Sequence, residues 1–123
     1  MKFLDDVILD FSYVFLVLKR SPYSSRSEVS LERTLRFKYS NHEWSGIPIM
    51  VSNMDTTGTI DMAMELQNHK IITCLHKYYT WNDFPADLNK NYYAVTSGIK
   101  DSDLANLHEI MEKIDPIFIC LDV

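Results

Sequence analysis

The residues of this chain whose types could do chemistry collect where apolar runs stop. Ser52-Asn53-Met54-Asp55 follows the run 46–51, His76-Lys77 follows 71–75, Thr96-Ser97-Gly98 follows 92–95, and Asp122 follows 117–121. Brought together, a lysine, carboxylates and short hydroxyl side chains form a polar mouth for a ligand. The chemistry that this supports is binding and orientation by charge and hydrogen bonds.

Such a mouth needs elements that aim every run the same way. Each run is too short for an ordinary helix, and the first is introduced by Gly46 and Pro48, which predicts strands buried on both faces. Between them lie helical spacings: Ile60, Ala63, Met64 and Leu66; Trp81, Phe84 and Leu88; Leu104, Leu107, Ile110, Met111 and Ile114. Strand–helix alternation implies parallel strands with crossover helices and functional groups at the strands' carboxyl ends. Strand starts about 21 to 25 residues apart suit (β/α) units.

The first crossover helix is predicted from Thr59, as N-cap, to about His69. The second contains Pro85, which a first turn tolerates. The third has Ser102 as cap, Asp103 at the positive end of the helix dipole, Lys113 near the other end and Pro116 beyond. The apolar stripes of all three read as core packing.

Composition bounds the rest. At 123 residues and 46% hydrophobic content the chain has the size and apolar supply of one domain. A net charge of −5 lacks the basic footprint that nucleic acid demands. The first 18 residues are apolar but carry Lys2, Asp5, Asp6 and Asp10, so they read neither as a membrane span nor as a signal peptide. A soluble cytoplasmic protein is the expectation. Cys74 and Cys120 sit inside apolar runs and read as small buried hydrophobes. No Cys/His spacing suggests zinc, and the histidines are scattered, so no metal site is expected.

Ahead of the first run, Val7, Leu9, Phe11, Tyr13 and Phe15 share one parity, which predicts an early strand or hairpin arm. Residues 21–27 form a serine-rich loop near Lys19, Arg20 and Arg26. Hydroxyls with a guanidinium fork can hold a phosphate; a solvated linker is the simpler reading of the composition. Val29, Leu31, Leu35 and Phe37 mark a second extended segment.

Taken together, Leu9-Asp10-Phe11, Lys19-Arg20-Ser21, Ser25-Arg26-Ser27-Glu28-Val29, Ser45-Gly46-Ile47-Pro48-Ile49, Asn53-Met54-Asp55-Thr56, Gly58-Thr59, His76-Lys77 and Ile119-Cys120-Leu121-Asp122-Val123 resemble the GMP reductases, in order and nearly end to end. Asn53 before Met54, Gly58-Thr59 after the turn and Tyr79 after His76-Lys77 look like the reductase version rather than the related IMP dehydrogenases. The fold this implies is α/β: a partial (β/α)8 TIM barrel of about the first four strands, preceded by an extended amino-terminal arm. Residues 1–45 would be the arm and cofactor-contacting loop, and 46–123 the first half of the barrel.

The activity implied is NADPH-dependent reductive deamination of GMP to IMP with release of ammonia. A family cysteine attacks the purine, and hydride from NADPH resolves the covalent intermediate. By motif match, Ser52 and Met54 would contact the nucleotide. Lys77 would sit by the nicotinamide end, Asp122 and Val123 would line the cofactor pocket, and Ser25 and Arg26 would meet the NADPH adenosine region across a subunit boundary, since the family forms tetramers. The nucleophilic cysteine is expected beyond Val123, so no catalytic residue is assigned and the 123 residues alone are expected to be inactive. The alternative is a noncatalytic half-barrel that binds nucleotide or assembles with an intact reductase subunit. Departures from the family pattern are Ser12-Tyr13, Val17-Leu18 and Ile99-Lys100.

Overall fold

The first regular pairing is an antiparallel hairpin of β1 (Arg33–Arg36) and β2 (Glu43–Gly46), with Leu35 opposite Trp44 and Thr34 opposite Ser45. Asn41, at φ 55°, makes its turn; asparagine tolerates this left-handed conformation better than most residues. In this computed structural model, residues 10–15 and 17–123 are described. The chain divides into two units, Met1–Ser30 and Leu31–Val123.

In the second unit the apolar runs become one parallel sheet. Its strands are β3 (Met50–Val51), β4 (Ile72–Leu75), β5 (Tyr93–Ser97) and β6 (Phe118–Leu121), ordered β3-β4-β5-β6. Each strand therefore lies beside its predecessor. The registers pair Met50 with Ile72, Cys74 with Ala94, and Val95 with Ile119.

Successive side chains of a strand point to opposite faces, so the sheet builds a core on each side. On one face Leu75, Tyr93 and Val95 bury against Ala63 of α1 (Ile60–Leu66), Ile110 of α2 (Asp101–Ile114) and Leu88. On the other, Ile72, Cys74 and Ala94 bury with Trp44 of the hairpin, flanked by Phe118 and Cys120. Each large side chain so buried is worth about 1.5–3 kcal/mol. The Trp44 ring also meets Tyr92 edge-on, and the Tyr92 hydroxyl donates to the Ser45 carbonyl at 3.2 Å.

Several details differ from the sequence reading. The strand expected over 46–51 pairs only at Met50–Val51, and Ile49 and Met50 are 54% and 60% exposed rather than buried on both faces. The reason is competition for backbone partners. Gly46 belongs to the hairpin, and the Ile47 N–H donates to the Lys70 carbonyl at 3.0 Å. The crossover between β4 and β5 is not an α-helix. It holds two 3-10 turns, Trp81–Asp83 and Lys90–Tyr92. Asp83 closes a capping box on Thr80, and Pro85 has no N–H with which to continue a helix.

The third helix starts at Asp101 with Lys100 as N-cap, so Ser102 lies inside it: the Asp103 and Leu104 N–H groups both donate to the Lys100 carbonyl. It ends where Asp115 turns left-handed at φ 53°, just before Pro116. The first helix agrees better with expectation. Thr59 caps it by accepting from the Met62 N–H at 3.2 Å, and a 3-10 turn carries it on to His69.

In the first unit, Val7 and Leu9 of the expected arm lie outside the described residues. Phe11–Tyr13, within the same stretch, form a 3-10 turn rather than a strand. Among the described residues no helix is long and apolar enough to cross a membrane.

Candidate functional site

A cavity of about 450 Å³ opens at the carboxyl ends of the parallel strands. Asn53, Met54, Asp55 and Thr56 come to it from β3; His76, Lys77 and Tyr78 from β4; Asp122 from β6. Parallel strands release their side chains at one end, which is why residues up to 69 positions apart, from Asn53 to Asp122, share this wall.

The turn after β3 is tightly specified. The Thr57 and Gly58 N–H groups both donate to the Met54 carbonyl, at 3.0 and 2.6 Å, and the Thr57 hydroxyl donates to the Ser52 carbonyl at 3.1 Å. Gly58 is buried against β4: a Cβ there would overlap the Cys74 carbonyl and stand 3.0 Å from Asn53 Cα. Its own carbonyl accepts the His76 N–H at 2.8 Å, which ties the ends of β3 and β4 together. Met54 is left 56% exposed, so it is a surface of the cavity and not core.

His76 is fixed by stacking. Its ring lies on Tyr79 with centroids 4.0 Å apart and planes 12° from parallel. Tyr79 is itself anchored, its hydroxyl oxygen accepting the Ile60 N–H at 3.1 Å and its carbonyl accepting from Asn106 Nδ2 at 2.9 Å. His76 Nδ1 is buried without a hydrogen-bond partner. Lys77 Nζ lies 3.8 Å from Asp103 Oδ2 in the first turn of α2. Asp122 is positioned by its N–H, which donates to the Ser97 carbonyl at 2.9 Å.

Of the residues singled out from sequence, Met54, Lys77 and Asp122 thus meet on one cavity. Ser52 is exposed beside its turn, and Val123 is 92% exposed; neither is part of the lining. Thr96 and Ser97, expected at the mouth, are buried in the sheet instead, at 4% and 2% exposure. The strand simply runs on through them, so they pack rather than emerge. Ser25 and Arg26 belong to the first unit. There Ser25 caps a 3-10 turn, Arg26–Glu28, by accepting the Ser27 N–H at 3.3 Å, and Arg26 is exposed.

Neither cysteine reaches the cavity lining. Burial, with the Cys120 thiol beside it, pushes the Cys74 thiol up to about 11, so at neutral pH it is the protonated, unreactive form. Among the described residues no cluster of three or more His, Cys, Asp or Glu could hold a metal ion. Sequence reasoning gave Thr56 no role of its own and missed Tyr78 and the pairing of Asp103 with Lys77, which no local spacing announces.

The cavity's chemistry is recognition: a cation, two carboxylates, an amide and a thioether around one polar space. Comparison with known proteins bears on what it recognises. No family model matches the chain. GMP reductase 1 of Mus musculus is 44% identical over 124 residues, which cover 96% of this chain and 36% of that protein. GMP reductases of Caenorhabditis elegans and Salmonella arizonae are 42% and 39% identical, with 94% and 100% of this chain covered. The chain spans 34–38% of the length of these curated relatives. Over nearly its whole length, therefore, this chain is similar to about a third of the GMP reductase sequence.

Proposed function

We propose that the chain serves the NADPH-dependent reductive deamination of GMP to IMP, with release of ammonia. The observation that carries this reading is the convergence of Met54, Lys77 and Asp122 on one cavity in a chain 38–44% identical to GMP reductases along nearly all its length. The residues suit the groups they would hold. A half-open polar cavity of about 450 Å³ falls in the size range of small-molecule sites. The exposed Met54 thioether offers a soft, polarizable surface to a flat purine, with Ser52 near the same nucleotide. Lys77 offers an ammonium to the nicotinamide end of the cofactor, and Asp122 and Val123 a border to its pocket. Ser25 and Arg26 offer a hydroxyl and a guanidinium to its adenosine region, across a subunit boundary in a tetramer. When bound, NADPH supplies the hydride.

These residues bind and orient; none is the nucleophile. The cysteine that attacks the purine would be supplied beyond the family motif that ends at Val123, and neither Cys74 nor Cys120 replaces it. In this reading residues 46–123 are the first half of a (β/α)8 barrel, with 1–45 as the arm before it, in a cytoplasmic enzyme. The sequential parallel order of β3 to β6 supports that assignment. So do the exposed apolar residues on both outer strands, Met50 at 60%, Ile119 at 47% and Leu121 at 63%, which a closed barrel would cover.

The same exposed residues favour one second reading, a noncatalytic half-barrel that completes its sheet against an intact reductase subunit. The test is GMP-dependent loss of NADPH absorbance, with IMP and ammonia measured as products. The full polypeptide that the natural transcript encodes is expected to turn over, and residues 1–123 alone are not. Turnover by residues 1–123 alone would overturn the assignment of the missing cysteine. Nucleotide binding or co-assembly without turnover by the full polypeptide would establish the second reading.

A further inference from the structure

We infer that Asp103 is a positioning residue that holds the Lys77 ammonium at the cavity, and that Gly98 is glycine to make room for that pair. The identity of the ligand rests on the functional reading above; the pair does not. An aspartate in the first turn of a helix ordinarily serves the helix itself, through its dipole and unpaired N–H groups. Asp103 does not place Oδ2 there. That oxygen is buried and makes no hydrogen bond, and its ion-pair partner, Lys77, comes from the end of another element, β4. A buried carboxylate oxygen without compensation is costly, so the lysine's charge is what the arrangement requires.

Gly98 gives an independent argument. It is buried, and no glycine of the chain has positive φ, so conformation does not call for glycine here. Space does. A Cβ at position 98 would overlap the Asp103 carboxylate and stand 3.4 Å from Lys77 Nζ. The end of β5 is thus pared down at the point where β4's lysine passes toward α2's carboxylate. At 3.8 Å the pair is longer than a hydrogen bond, so all three ammonium N–H groups stay free of Asp103 and available to a ligand. Asp103 fixes where the charge sits without consuming its donors.

The test uses the full natural polypeptide and the variants Asp103→Asn, Asp103→Glu, Gly98→Ala and the double variant Asp103→Asn/Gly98→Ala. One arm measures acylation of Lys77 by an amine reagent, mapped by mass spectrometry with Lys113 as internal control. The other measures steady-state kinetics with NADPH and GMP varied separately. Asp103→Asn is expected to free Lys77 and raise its labelling severalfold. The same change lowers kcat/KM for NADPH about 10- to 100-fold, as misplacement of a binding group by about an ångström does. KM for GMP and Tm stay nearly unchanged, a split that general loss of structure would not give. Asp103→Glu restores part of the effect. The double variant is no worse than Asp103→Asn, because both changes break one pair. Lys77 labelling and NADPH kinetics that stay within about twofold in Asp103→Asn, or full additivity of the two changes, overturn the inference. A wild-type polypeptide that does not oxidise NADPH, while Lys77 labelling still rises in Asp103→Asn, overturns the functional reading alone and supports the hold of Asp103 on Lys77.

Discussion

The Trp44 indole N–H donates a 2.7 Å hydrogen bond to the Asn91 carbonyl, joining the hairpin to the approach of β5 across 47 positions. Trp44 is only 3% exposed, so this bond lies at the edge of the core that Ile72, Cys74 and Ala94 complete. Trp44→Phe keeps most of the apolar contact but loses the bond, and should cost about 1–3 kcal/mol. Trp44→Ala also empties the site, and should cost about 3–5 kcal/mol. Urea unfolding of the two variants checks both; a Trp44→Phe protein as stable as the parent would mean that the hydrogen bond contributes nothing of its own.

Tyr79 carries two separable tasks. Its hydroxyl serves the Ile60 N–H and its ring supports His76. Tyr79→Phe should cost about 1 kcal/mol by leaving the first N–H of α1 unpaired, with the His76 ring unmoved. Tyr79→Leu should in addition shift the His76 ring protons in NMR spectra, through loss of the stacked ring. Identical His76 shifts in both variants would show that the stack does not hold the histidine.

Gly58 is required for close approach, since it too lacks a positive φ. Gly58→Ala should push β3's turn away from the Cys74 carbonyl at about 1–3 kcal/mol, the usual cost of overpacking. Nucleotide affinity should fall further than that stability loss explains, because Asn53 and Met54 ride on the same turn. Titration calorimetry beside unfolding curves separates the two effects; unchanged affinity refutes the link.

Alkaline pH should loosen the fold through two buried groups. Burial first, and the Asp115 charge second, push the Tyr93 phenol from 10.0 up to about 12. The Cys74 thiol goes from 9.0 to about 11. Both folded values lie above the unfolded ones, so their contribution is fully present below pH 9 and is lost as pH rises to about 12. Urea midpoints should therefore fall over that window, in step with tyrosinate absorbance. A flat stability from pH 9 to 12 would contradict it.

Much of this arrangement was legible in the chain, and the reasons are local. Runs of Val, Ile, Leu and Cys closed by polar residues became strands, and Thr59 capped its helix, because propensity and capping act over a few neighbours. The cavity followed from the topology those strands impose. What escaped was decided at a distance. The strand at 46–51 was shortened by partners drawn from the hairpin and from Lys70, and Thr96 and Ser97 were claimed by the sheet. Asp103 read as a helix-dipole residue, which it is by position. Its carboxylate's service to Lys77, 26 positions earlier, exists only once β4, β5 and α2 are packed.

The order of the parallel strands has a consequence for how this chain reaches its fold. Paired positions across the sheet, such as Met50 with Ile72, Thr73 with Tyr93 and Ala94 with Phe118, lie only 20 to 24 residues apart. Within this four-stranded sheet each strand finds its next partner close by in the sequence. Loop closures of this length cost modest entropy, and a chain emerging from the ribosome meets each new strand with its neighbour already made. Assembly of these four strands can therefore proceed vectorially, one unit at a time, each new strand adding to the edge left by the one before it.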